Sequence, residues 1–131
     1  MKYLVLIGRI LFSAIFIISG INNLFNSEMI QYGISHGVPY PAFMIPFSGL
    51  ISLIGGLSIL IGYKARMGAW LVIFFLIPVT LMMHNFWEME DSQEVMIEQI
   101  LFLNNVSMLG GAFLIAYFGS GPLSIDYQSA K

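Results

Sequence analysis

The side chains of this sequence that are able to do chemistry are few and widely spaced: Arg9, then Asn22 and Asn23, Ser52, His84 with Trp87, and Asn104 with Asn105. Amides, a hydroxyl and one imidazole are hydrogen-bonding groups suited to the head of a small polar molecule. A guanidinium suits a phosphate, a carboxylate or a quinone carbonyl. No nucleophile stands beside a base in this set, so catalysis by the chain alone is not expected. Cysteine is absent, which removes disulfides, thiolate metal ligands, iron–sulfur clusters and CxxC redox chemistry. An electron-transfer role would need a bound cofactor or a partner subunit. The other histidine, His36, lies between the turn-forming Gly33 and Gly37. A two-histidine site would require that segment to fold back over His84, so haem is disfavoured and no metal site is expected.

The elements that must position these groups are four long apolar stretches, residues 4–25, 42–62, 67–86 and 99–118, each about the roughly 20 residues of a bilayer-spanning helix. Of all the Lys, Arg, Asp and Glu residues, only Arg9 falls inside one. The stretches are apolar all round, without the polar face a soluble helix keeps. Hydrophobic residues make up 58% of the chain and charged ones 9%, with a mean hydropathy of +0.86; soluble domains carry about 25% charged residues. The expected fold class is all-α, an integral membrane four-helix bundle. One domain is expected over 1–131, since the longest link, residues 26–41, is too short to bury a core of its own. The bilayer is then the first partner, and nothing in the charge pattern suggests nucleic acid.

The first apolar run could be read as a signal peptide, but it ends in Gly20-Ile21-Asn22-Asn23-Leu24-Phe25 rather than at a small-residue cleavage site, and is read as a retained helix. Lys2, Arg9, Lys64, Arg66 and Lys131 all fall at one end of the bundle, and Glu28, Glu88, Glu90, Asp91, Glu94 and Glu98 at the other. By the positive-inside rule both termini are cytoplasmic. Ser48, Ser52 and Gly56, and Ser107 with Gly111, form small-residue rows of the kind that pack helices in lipid. Pro46 falls in the first turn of the second helix, where it is tolerated, whereas Pro78 should bend the third. Tyr40, Phe86 and Trp87 at the outer interface and Trp70 at the inner one read first as anchors. Arg9 lies about two turns from the cytoplasmic end, so it should snorkel or pair with Asp126, the acid of that side, as a structural pair; the alternative is a ligand-binding arginine.

Asn22, Asn23, Ser52, His84, Asn104 and Asn105 all fall toward the outer half of the bundle and should turn inward. If the first, third and fourth helices meet there, His84, Asn105 and Asn22 or Asn23 line one pocket with Ser52 beneath it, open to a small polar headgroup. The other reading is that these groups only bond helix to helix. Both stay open.

These residues resemble the DoxX family of small four-helix inner-membrane proteins over nearly the whole chain. The resemblance is carried by Gly8-Arg9-Ile10 with Gly20, the Gly37-Val38-Pro39-Tyr40-Pro41 turn, Gly55-Gly56, and Gly62 before Arg66. It continues in His84-Asn85-Phe86-Trp87, in Asn105-Val106-Ser107 with Gly110-Gly111, and in the tail from Gly119 to Asp126. Many relatives carry Lys, Glu and Lys where this chain has Asn23, Ser52 and Asn104, so three buried charges are replaced together by neutral groups. That keeps the polar cluster balanced and weakens a proton relay. The resemblance implies a bacterial inner-membrane location. It also implies an accessory subunit of a redox or quinone-linked complex, with quinone the cofactor to consider and a redox subunit or a second copy of the chain as protein partner. The rival is a scaffold or assembly factor without a cofactor. A transporter is disfavoured, since one intramembrane charge leaves little for coupling.

Overall fold

The computed structural model describes residues 1–130; Lys131, counted above among the basic residues of one end, lies outside them. In chain order it contains α1 (Lys2–Phe25), α2 (Ser27–Ser35), α3 (Pro41–Ile61), α4 (Ala65–Met83), a 3₁₀ turn (Phe86–Glu88), α5 (Ser92–Phe118) and α6 (Ile125–Ser129). No strand occurs among the described residues. Four helices are long and apolar enough to cross a membrane: α1, α3, α5, and α4 taken on to Glu88. The all-α membrane bundle expected from hydropathy is the fold observed.

The departures lie at the ends, where apolarity is a poor guide to helix. Residues 26–41 are not simply a link: Asn26 accepts from Glu28 N at 3.0 Å and caps the short helix α2. Helix α4 stops at Met83 rather than at Phe86, with His84 in a non-helical conformation. Helix α5 begins at Ser92 rather than at residue 99, because the Asp91 carboxylate accepts from Gln93 N at 2.8 Å and starts a polar extension beyond the apolar stretch. Helix α3 begins with Pro41, which places Pro46 inside the helix instead of in its first turn.

Helices α1 and α3 form the closest pair. A Cβ added at Gly20 would lie 2.7 Å from the Gly49 carbonyl oxygen and from Leu53 N, so the two backbones touch. The small-residue row of α3 faces the same partner: Ser48 accepts from Asn23, Ser52 donates to the Phe16 carbonyl at 2.8 Å, and Gly56 backs Ile17. On its other side Gly55 lies against Gly68 of α4. Phe16, Ile59, Val72 and Leu76 make the centre of the core. Helix α4 is therefore the inner element, packed on both α3 and α5. Within the spans 44% of α4 is buried but only 6% of α5, whose one buried residue is Ala112. The outward side chains, among them Leu11, Phe74 and Leu114, are large and apolar, as hydrocarbon surroundings require.

Candidate functional site

Helices α1 and α5 barely meet, and the space between them, floored by α4, is a recess of about 370 Å³. It is lined by Asn22, Asn23 and Ser19 from α1, His84 from the end of α4, and Asn105 and Met108 from α5, over Phe75 and Leu76. The structure thus brings together the amides and the imidazole that the sequence places apart. Helical geometry does this: α1 and α5 reach the C-terminal end of α4 from either side, and the last turn of α1 carries both asparagines to the level of His84.

Much of the hydrogen-bonding capacity in this recess is unspent. The side-chain amides of Asn22 and Asn105 bond nothing else among the described residues. Asn23 is 8% exposed, and its orientation follows from its neighbour. The single Ser48 hydroxyl proton goes to the Ile45 carbonyl at 2.7 Å, so Ser48 Oγ only accepts, at 3.3 Å from Asn23 Nδ2. Asn23 Oδ1 is left buried without a donor, a vacancy that costs about 1–3 kcal/mol. His84 bonds Glu98 Oε2 through Nδ1 at 2.7 Å, which leaves Nε2 as the ring atom free to meet a ligand.

The remaining candidates lie elsewhere. Ser52 is fully buried and spends its hydroxyl on Phe16, so it ties α3 to α1 and does not line the recess. Asn104 is exposed on the outer side of α5, because Asn105 next to it takes the inward position and neighbours on a helix point about 100° apart. Trp87 is exposed and packs edge-on to Phe86 and Phe102, beyond the end of α4. Arg9 and Asp126 do share one end of the bundle, but they form no ion pair. Arg9, 4% exposed, donates from Nη1 to the Ser120 carbonyl at 3.3 Å and from Nη2 to the Leu123 carbonyl. Asp126 accepts instead from Lys64 N at 2.8 Å and Ala65 N at 3.0 Å, capping α4 from the tail. The tail passes between them and takes both sets of bonds, the turn being completed by Leu123 at a left-handed φ of 56°.

Glu98 and Ser48 belong to the site and are not legible in it beforehand. Glu98 reads as a residue of the acidic outer loop as long as the fourth helix is taken to begin after it. The signal that would have found it is Asp91 followed three residues later by Glu94, the pattern of a helix start. Beside Glu98, the same end of the bundle carries Tyr32 and His36, their rings 4.3 Å apart, with Glu94. Burial, and then the charge of Glu98, pushes the Tyr32 phenol above its ordinary value. Among the described residues no three His, Asp or Glu side chains are grouped closely enough to hold a metal ion.

Comparison with known proteins places this arrangement. The inner membrane protein YphA of Escherichia coli K12 is 32% identical over 124 residues, covering 94% of this chain and 88% of the relative. YqjF of the same organism, also an inner membrane protein, is 34% identical over 124 residues, covering 93% and 88%. The ER-derived vesicles protein ERV29 of Saccharomyces cerevisiae is 26% identical over 80 residues, 61% of this chain and 26% of its own length. No solved structure is significantly similar. The sequence model of the DoxX family matches residues 4–85, the part that carries Arg9, Asn22, Asn23, Ser52 and His84. With that match, and with relatives aligned along nearly its whole length, the chain belongs to the DoxX family of inner-membrane proteins.

Proposed function

We propose that this protein is an accessory subunit of a redox or quinone-linked membrane complex, and that it binds quinone, or a lipid with a small polar head, in the recess between α1, α4 and α5. The observation that carries this reading is the convergence of Asn22, Asn23, His84 and Asn105 with hydrogen-bonding capacity the protein itself does not use. The volume falls within the roughly 300–1,000 Å³ of small-molecule sites. The weak contact between α1 and α5 leaves a side door to the hydrocarbon, so a ring enters head first while its isoprenoid tail stays in lipid. Asn23 Oδ1 accepts only, and His84 Nε2 accepts when the ring is neutral; both favour a hydroxyl-bearing quinol head, while the Asn22 and Asn105 amides serve a carbonyl equally well. Asp126 and Arg9 hold the opposite end.

A partner would sit on α5. Its outer face carries Asn104 about 9 Å along the helix from Glu98, which is within the apolar stretch, and an amide there is better placed against another helix than against acyl chains. A cysteine introduced at Asn104 and alkylated with a photoactivatable cross-linker would, on illumination, capture whichever helix sits there, a redox subunit or a second copy.

Organic extraction of the purified protein tests the ligand. Quinone or quinol should be recovered from the wild type and lost from His84→Ala at unchanged folded yield. Equal recovery from both would remove the recess from the argument, and a haem absorption band would replace quinone by haem. Empty extracts would favour the cofactor-free scaffold, a reading supported by the interhelical bonds of Ser52 and Asn23.

A further inference from the structure

The end of the bundle that carries Lys2 and Ala130 holds a second recess, of about 540 Å³. Lys64, Arg66 and Met67 form one side of it, and Phe118, Gly119 and Gly121 the other. Its charge is not balanced from within. Asp126, the one acid among its described lining residues, already accepts from Lys64 N, Ala65 N and Ser120 Oγ. The Arg66 guanidinium bonds no acid or carbonyl among the described residues. It lies against the backbone of Gly119, where a Cβ would stand 3.2 Å from Nε, and Gly119 has a φ of 83° that favours glycine. Lys64 Nζ sits 5.6 Å from the centre of the Tyr63 ring, again with no carboxylate partner. Among the described residues the amide N–H groups of Arg66 and Met67, at the start of α4, have no acceptor either.

Two unpaired cations and two unpaired N–H groups around one hollow call for an oxyanion with several oxygens. A guanidinium fork and an ammonium together suit phosphate. The lip of the recess is apolar: Met67 and Phe118, which line it, are both exposed, so anything bound here has hydrocarbon at its edge. We propose that this recess binds a phosphate ester, and that in the membrane the ester is the headgroup of an anionic phospholipid whose chains run along Met67 and Phe118. The site is independent of the quinone reading, because it lies at the other end of the molecule and shares no residue with it.

Native mass spectrometry of the full chain in mild detergent, with added phosphatidylglycerol or phosphatidylcholine, tests the proposal. Phosphatidylglycerol should be retained in preference to phosphatidylcholine. Arg66→Gln should weaken that retention about fivefold, the worth of one basic residue near a lipid surface. Lys64→Gln with Arg66→Gln should abolish the preference, and Arg66→Lys should fall between wild type and Arg66→Gln. Lys2→Gln, at the same end but outside the recess, should change nothing. Displacement of the lipid by millimolar inorganic phosphate would identify the ester group as what is recognised. Phosphate bound with no preference between the lipids would assign the same site to a soluble phosphate ester. Equal retention of both lipids together with indifference to phosphate would overturn the proposal, as would a doubly substituted protein that melts like the wild type and still prefers phosphatidylglycerol.

Discussion

Arg9 is a buried cation in a membrane helix, and its bonds rather than its charge explain why it is tolerated. The guanidinium reaches two carbonyls of the tail at once, Ser120 and Leu123, from two separate nitrogens of its planar fork, a span that the single nitrogen of a lysine has to cover alone. Arg9→Lys should therefore lower stability by about 1.5–3 kcal/mol, the worth of one charge-assisted bond, measured by unfolding in detergent. An unchanged midpoint would show that the tail contacts contribute nothing. Asp126→Ala should cost about 1–2 kcal/mol through loss of the α4 cap, with Asp126→Asn retaining part of it. At the other end, Tyr32 titrates above its ordinary value in the folded protein. A raised pKa means that the folded state holds the proton longer than the unfolded one, so the stability involved is intact below the unfolded pKa and fades as pH climbs through the folded one. Melting followed from pH 9 upward should show a loss that Tyr32→Phe removes, and identical curves for the two proteins would contradict this.

At the scale of the helices, close approach is built from glycine at specific crossings and not from glycine in general. A methyl group on Gly20 would meet backbone of α3 at 2.7 Å, whereas one on Gly8 meets nothing within 4 Å. Gly20→Ala should destabilise the bundle by about 3 kcal/mol, the upper end for overpacking because backbone has nowhere to yield. Gly8→Ala should be neutral, or stabilising by less than about 1 kcal/mol through helix propensity. Comparable melting of the two variants would mean that α1 and α3 cross elsewhere. The same crossing carries the Ser52 and Asn23 bonds, so polar glue and small-residue packing act on one interface. Helix α5 has no such crossing with α1, which is why a recess opens there.

For the whole molecule, the separation of charge between the two ends is the feature with a directional consequence. The end with Lys2, Arg9, Lys64 and Arg66 is expected in the cytoplasm, and the end with Glu88, Glu90, Asp91, Glu94 and Glu98 outside. Because the chain has no cysteine, single substitutions report topology cleanly. An impermeant thiol reagent applied to intact cells should label Glu90→Cys and spare Lys64→Cys until the membrane is opened. The opposite pattern would invert the protein and place the quinone recess in the inner leaflet. The two recesses sit at opposite ends of the bundle, one lined by amides and an imidazole, the other by cations.

The amino-acid sequence alone determined the solvent, the number of spans and the fold class, because burial in hydrocarbon demands long uninterrupted apolar helices and the cost of breaking that pattern is high at every residue. It also determined that Asn22, Asn23, His84 and Asn105 belong to one half of the bundle. Only the tertiary structure decided which of them share a wall. Asn104 and Asn105 are indistinguishable by composition, and the rotation of α5 about its axis, set by packing on α4, turns one inward and the other out. Rotation and tail path likewise separated Arg9 from Asp126, since a pairing inferred from sidedness ignores the tail carbonyls that reach Arg9 and the α4 N–H groups that reach Asp126 first. The pairing of His84 with Glu98 depended on two capped polar turns of α5, which hydropathy does not register because a helix beyond the membrane has no need to be apolar.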